Sequence, residues 1–385
     1  MKTRHIHFIA LVAGKNSLVY RYIELFLELF YKMDSVSLQT TTIGSFPKPE
    51  KLNLADWFNT SKETFVEAYS KCDTDETLLR AVTLDVVNIQ RDAGITVVTD
   101  GEVRRDNYIY YLCRSMNGVN FERQELRSLR CGAYENKVPV IDGKVSLPDS
   151  AVVSMVAEWK QSQDDAGTIP LKITIPGPMT IIDTTFNEFY DNTCELAGDL
   201  ATAISSLIDG LAAAGCVHIQ LDEPLFARKV DDALAWGIAA AEHCFRNCPE
   251  TVCKTLHCCC GYPRHMNDCD YKKADPRAYA TLANPLEKSI FDQISIEDAH
   301  RNNDLSVLLP LFKTKTIVLG VLQICSSKVE TVEQVRERAS EALKWIDSDR
   351  LILAPDCGLA YCTPDLAEKK LNVLGEAART VKIPY

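Results

Sequence analysis

His257 and Cys259 stand two residues apart in the run Leu256-His257-Cys258-Cys259-Cys260. In an extended segment, side chains of period two point the same way, so an imidazole nitrogen and a thiolate can share one metal ion while Cys258 faces the other side. Two further residues of ligating type, Glu297 and Cys357, lie far along the chain, each next to the end of a β-branched run. Nitrogen, sulfur and carboxylate donors in one set suit zinc, which is borderline soft and tolerant of geometry. His257, Cys259, Glu297 and Cys357 are therefore the candidate metal ligands, with Zn²⁺ as the cofactor.

Residues this far apart meet only if the fold gathers strand ends. From residue 40 onward, short β-branched runs alternate with longer helical patterns, the mark of a parallel sheet with helical crossovers. Strands are expected at 40–43, 95–99, 171–175, 217–221, 252–256, 293–296, 316–321 and 351–354. Leu79, Val82, Val86 and Ile89 form one apolar helical stripe before Gly94, and helical patterns recur at 195–214, 332–345 and 366–381. Eight strands with helices between them predict an α/β fold, a single (β/α)8 TIM barrel, with an open doubly wound sheet as the other architecture. The strand ends read Gly44-Ser45, Asp100-Gly101-Glu102, Pro176-Gly177-Pro178, Asp222-Glu223-Pro224, His257-Cys258-Cys259, Glu297-Asp298, Gln323-Ile324-Cys325 and Asp356-Cys357-Gly358. A barrel brings all of these to one face. Stretches 103–170 and 261–292 exceed ordinary loop length and predict extra segments, helices or a hairpin, over one rim.

The charge sum of −11, with no basic cluster to offset it, excludes nucleic acid as a partner. Fifteen cysteines without framework spacing, in a chain that can bury a large core, read as reduced thiols of a cytoplasmic protein. Residues 1–33 carry two short apolar runs, neither long enough to span a membrane, and no small-residue cleavage site closely follows the first. They are expected to be a leader or non-essential extension ahead of a barrel at 34–385, with no membrane partner.

At these same strand ends the chain resembles the cobalamin-independent methionine synthases, specifically their catalytic C-terminal barrel. The matching segments are TTTIGSFPKP at 40–49, VVTDGEVRRDN at 97–107, IPGPMT at 175–180, IQLDEPLFAR at 219–228, LHCCCGYP at 256–263, ISIED at 294–298 and APDCGL at 354–359. The resemblance implies that the zinc ligands fall on His257, Cys259, Glu297 and Cys357. It implies that the backbone at Ile43 and Ser45 holds the carboxylate of homocysteine, and that Glu102 and Asp222 hold its ammonium. A free alkyl thiol has a pKa of about 8.5 and is mostly protonated at neutral pH; coordination removes the proton. Two thiolates and a carboxylate leave the metal site net negative, so a bound sulfur stays nucleophilic and attacks carbon. Glu297, the hardest donor, is expected to give way to it.

Two departures stand out. Methionine synthases carry an N-terminal half that helps bind the polyglutamylated folate, and 385 residues are too few to contain it, which leaves the methyl donor open between methyltetrahydrofolate and another molecule. The family's Asp-Ile-His-Ser, whose histidine protonates the departing nitrogen, is here Gln323-Ile324-Cys325-Ser326. Cys325 occupies that catalytic place, and His300, three residues past Glu297, is the other candidate. Shorter relatives include epoxyalkane:coenzyme M transferases, so the alternative reading is a zinc-thiolate transferase that opens an epoxide. Arg104 and Arg105 could pair with a sulfonate there, but read more simply as an exposed helix start beside Asp106. The acid pair Glu102 and Asp222 suits an ammonium and repels a sulfonate.

Overall fold

A computed structural model describes residues 37–49, 51–52, 75–129, 131–132, 134–261, 266–268 and 273–383; the expected leader at 1–33 lies outside them. Eleven strands occur in this order: β1 Gln39–Thr40, β2 Val98–Thr99, β3 Asn117–Leu129, β4 Tyr134–Ser146, β5 Leu171–Pro176, β6 Phe186–Asn187, β7 His218–Asp222, β8 Cys253–Cys258, β9 Gln293–Ile296, β10 Thr316–Leu322 and β11 Leu351–Pro355. Eight of them form one parallel sheet in the order β1-β11-β10-β9-β8-β7-β5-β2. A parallel bridge between Thr41 and Val97 joins its two ends, so the sheet closes into the expected (β/α)8 barrel.

β1 and β2 are shorter than their sequence runs, because side chains do much of the pairing at this seam. The Thr96 hydroxyl donates to the Thr40 carbonyl at 2.6 Å and accepts from the Thr40 N–H at 2.8 Å. One layer in, the buried Gln90 amide accepts from the Thr99 N–H at 2.9 Å and donates to the Thr99 carbonyl at 2.8 Å. A side chain from the Glu76–Asp92 helix thus satisfies a peptide that the short strand leaves unpaired.

The helices follow the apolar stripes. Asp75 caps the Glu76–Asp92 helix by accepting from the Thr77 N–H, and Leu79, Val82 and Val86 are buried as expected, while Ile89 is half-buried and Gln90 takes the inner place. Asn192 caps Thr193–Ala213, and Thr363 with Pro364 opens Pro364–Thr380. The helix begun at Val332 ends at Ala342, three residues before Trp345, where bonds from Lys344 to Glu341 and from Trp345 to Ala342 tighten the last turn. The main apolar core lies between barrel and helices; inside the barrel a small patch of Ile43, Val318, Ile352 and Ala354 faces polar residues on the other strands.

The stretch after β2 holds the expected hairpin, β3 against β4, with β6 parallel to β4, followed by the Asp149–Ala166 helix. Arg127 on β3 donates to the Ile182 carbonyl at 2.8 Å and also bonds the Thr185 carbonyl, which ties the hairpin to the segment after β5.

Candidate functional site

β8 delivers His257 and leads directly into Cys259, while the turn after β11 delivers Cys357. One ligand atom from each of these three residues lies within 4.8 Å of the others. His257 Nε2 is 3.2 Å from Cys357 Sγ, which is 3.6 Å from Cys259 Sγ. The other ring nitrogen of His257, Nδ1, meets the Ser295 hydroxyl of β9 at 2.8 Å, so Nε2 is the nitrogen turned to the sulfurs. Cys258 is fully buried in the outer core, on the opposite face as the alternation predicts.

The Cys357 thiol directed at Cys259, together with the neighbouring His257 ring, pulls the Cys259 thiol well below the usual thiol range despite burial. Burial works against the His257 imidazolium, but the Cys259 thiolate beside it raises the group overall. Two sulfurs, one of them readily ionised, and an imidazole with its second nitrogen tethered make a donor set that fits a metal ion.

Glu297, just past β9, is placed differently. Its carboxylate accepts from the Cys260 N–H at 2.9 Å and pairs with Lys273. It groups with His300 and Asp356 instead of with the two sulfurs. That second group clamps a loop: Asp356 accepts from the N–H of Asp298 and of Ala299 at 2.8 Å and of His300 at 2.7 Å, and the His300 ring meets it at 2.7 Å. The end of β11 therefore fixes the turn that carries Glu297.

A cleft of about 390 Å³ opens beside the His257, Cys259 and Cys357 group, and its other walls are Ile43, Gly44, Ser45, Glu102, Tyr108, Asp222, Pro224 and Gly358. Glu102 sits at φ 54°, in the left-handed region, where the Asp100 carboxylate holds its N–H at 2.9 Å. Its carboxylate accepts from the Thr174 hydroxyl at 2.7 Å and lies 3.7 Å from Arg105. A Cβ on Gly44 would stand 2.5 Å from Glu102 Oε1, so only glycine leaves the carboxylate its place. Burial pushes the Glu102 carboxyl up, opposed by Arg105 and Thr174. Across the cleft, burial pushes Asp222 up to about 7, against the pull of His257. Gln220, two residues earlier on β7, donates to Asp222 Oδ1 and to the Ile43 carbonyl, both at 2.7 Å, and so joins two walls of the cleft.

Eight of the ten expected site residues have clear outcomes around this cleft: Ile43, Ser45, Glu102, Asp222, His257, Cys259 and Cys357 line it, and Glu297 stands behind it on Lys273 and Cys260. His300 and Cys325 do not line it. Cys325 is buried in the core, where burial pushes its thiol up to about 12. Arg105, read as exposed, is buried and donates to the Thr174 carbonyl at 2.7 Å; Arg104 pairs with Glu76 at 2.6 Å, and Asp106 with Arg114 at 2.6 Å.

Sequence reasoning missed Gln220, Ser295, Tyr108 and Lys273. Gln220 was legible, since it precedes Asp222 by the two residues that keep a strand side chain on the same face; Ser295 relates to Glu297 in the same way. Lys273 lies in a segment without strand periodicity and gave no signal.

Two sulfurs, an imidazole and a carboxylate pair gathered at the carboxyl ends of parallel barrel strands stand where barrel enzymes carry their active sites, and that class is the one the fold and site define. The family described as cobalamin-independent synthase, catalytic domain, matches residues 38–380, and the chain belongs to that family. The methionine synthase of Saccharolobus islandicus is 28% identical over 349 residues, covering 90% of this chain and 95% of the relative. That of Sulfolobus acidocaldarius is 29% identical over 337 residues, covering 87% and 89%. Among solved structures, a B12-independent methionine synthase from Shewanella sp. W3-18-1, in complex with selenomethionine, superposes with a TM-score of 0.77 at 28% identity, covering 89% of this chain and 97% of that one.

Proposed function

We propose that the protein is a zinc-dependent methyltransferase that converts homocysteine to methionine. One observation carries the reading: a metal-fitting group of His257, Cys259 and Cys357 shares a single small cleft with the acids Glu102 and Asp222 and the backbone of Ile43 to Ser45. An amino acid bearing a thiol has three ends, and this cleft has a chemically matched wall for each. Relatives named methionine synthase along nearly the whole chain, and a similar structure holding selenomethionine, support the same reading.

Glu102 and Asp222 bind the ammonium, and because burial raises both acids, an arriving cation restores their ionised forms. The Ile43 to Ser45 backbone takes the carboxylate. These contacts direct the side-chain sulfur to His257, Cys259 and Cys357, with Glu297 as the further ligand. Zinc bound by those residues would lower the thiol pKa and keep the sulfur nucleophilic at neutral pH. Ser295 holds the His257 ring so that Nε2 keeps its aim. Methyltetrahydrofolate, or another methyl donor, then approaches from the open side of the cleft.

The test is a donor and acceptor panel on zinc-loaded protein with product masses measured. Methionine from homocysteine and methyltetrahydrofolate is the expected result. Turnover of an epoxide with coenzyme M, and none with homocysteine, would overturn it in favour of the epoxide reading; the contacts of Arg105 with Thr174 and Glu102 speak against that arginine as a sulfonate partner.

A further inference from the structure

The carboxylate of Glu297 is 2% exposed, and a carboxylate so buried is strongly disfavoured unless something pairs with it. Asp356 and Cys259 act on it with the wrong sign. Its own backbone is pinned: the Glu297 N–H donates to the Tyr279 hydroxyl at 3.1 Å, and that hydroxyl donates to the Cys258 carbonyl at 2.6 Å. Tyr279 thus couples Glu297 to the strand that carries His257 and Cys259, which leaves only the side chain free to change partners. What the carboxylate meets is Lys273 on Oε1 and the Cys260 N–H on Oε2. The Cys260 N–H lies one residue beyond Cys259, so this seat borders the residue that carries one of the two sulfurs.

We propose that Lys273, with the Cys260 N–H, is the seat to which the Glu297 carboxylate moves when a substrate sulfur displaces it from the metal. The inference rests on the proposed function and adds to it a positioning residue, Lys273. In the exchange Glu297 would release the metal as the substrate sulfur took its place, one bond broken for one formed. The thiol proton leaves to solvent, and Lys273, already an ammonium, gains an ion pair without a proton transfer. One monoanion replaces another at the metal, so the charge there is unchanged, and the freed carboxylate is neutralised where Asp356 and Cys259 would otherwise repel it. Without the seat, displacement would strand a buried anion, and the substrate sulfur would bind less well by that penalty.

X-ray absorption at the zinc edge of the zinc-loaded full chain reads the exchange directly. The wild type should go from two sulfur ligands, Cys259 and Cys357, to three on addition of homocysteine. Lys273→Met should keep its zinc, stay at two sulfurs at the same homocysteine concentration, and need at least roughly tenfold more thiol for the change, while Lys273→Arg should restore it. A comparable thermal melt for Lys273→Met separates this from misfolding. Conversion of Lys273→Met at the wild-type homocysteine concentration would overturn the seat, as would loss of its zinc. A wild type that never gains a third sulfur would instead overturn the proposed function, and the exchange with it.

Discussion

At the scale of single residues, the site depends on atoms that leave little slack. Cys357 is the bridge of the group, within 3.6 Å of both His257 Nε2 and Cys259 Sγ. Cys357→Ser replaces a soft thiolate by a hydroxyl that does not ionise near neutral pH. Zinc affinity should fall by roughly two orders of magnitude or more, read as metal content after dialysis against a competing chelator. Gly44 offers a cleaner separation of roles, because its missing Cβ makes room for Glu102 alone among the charged groups of the cleft. Gly44→Ala should displace the Glu102 carboxylate and raise KM for homocysteine at least about tenfold, with zinc content unchanged. A normal KM in that variant would remove Glu102 from ammonium binding.

At the scale of elements, a strand end delivers a functional group and a neighbouring strand holds it in line. β9 supplies Ser295 to His257 of β8, β7 supplies Gln220 to both Asp222 and Ile43, and the end of β11 supplies Asp356 to the turn after β9. The cost of filling a barrel with such polar groups shows at Lys172 on β5, which is buried with no hydrogen-bond partner on its Nζ. Burial lowers it from 10.5 to about 7, with Asp222 opposing. Its folded pKa lies below its unfolded one, so the unfolded chain binds the extra proton between those values. Stability therefore rises with pH across that window, and the penalty is fully present below about 7. Lys172→Met should raise Tm, and by more near pH 6 than near pH 9, as thermal melts at the two values would show. An equal gain at both would mean that Lys172 does not change charge between them.

At the scale of the whole molecule, closure is what brings the ends of β1 and β2 to one site with those of β7, β8 and β11. The sheet closes between β1 and β2, where side-chain and backbone groups of Thr40 and Thr96 exchange hydrogen bonds and Gln90 completes the Thr99 peptide. Gln90→Leu keeps the volume but leaves both polar groups of Thr99 unpaired in the core. A loss of about 2–4 kcal/mol is expected, measured as a lower urea midpoint at unchanged m-value. Because Ile43 and Glu102 hang from this seam, KM for homocysteine should rise in the same variant under conditions where it remains folded.

Much of this was legible before any coordinates, because strand periodicity is a local property. The runs at 171–175, 217–221, 252–256, 293–296, 316–321 and 351–354 are observed within a residue or two, and the ends of β7, β8 and β11 bring Asp222, His257 with Cys259, and Cys357 to the cleft. The alternation that turns His257 and Cys259 inward and Cys258 outward follows from the pleat alone. The tertiary structure alone decided what a side chain meets on other strands. It buried Arg105 against Thr174, turned His300 onto Asp356, set Cys325 in the core, and gave Glu297 a lysine from a segment with no readable pattern. Periodicity tells which way a side chain points; the partner waiting there comes from chain distant in sequence, and only the closed barrel brings it near.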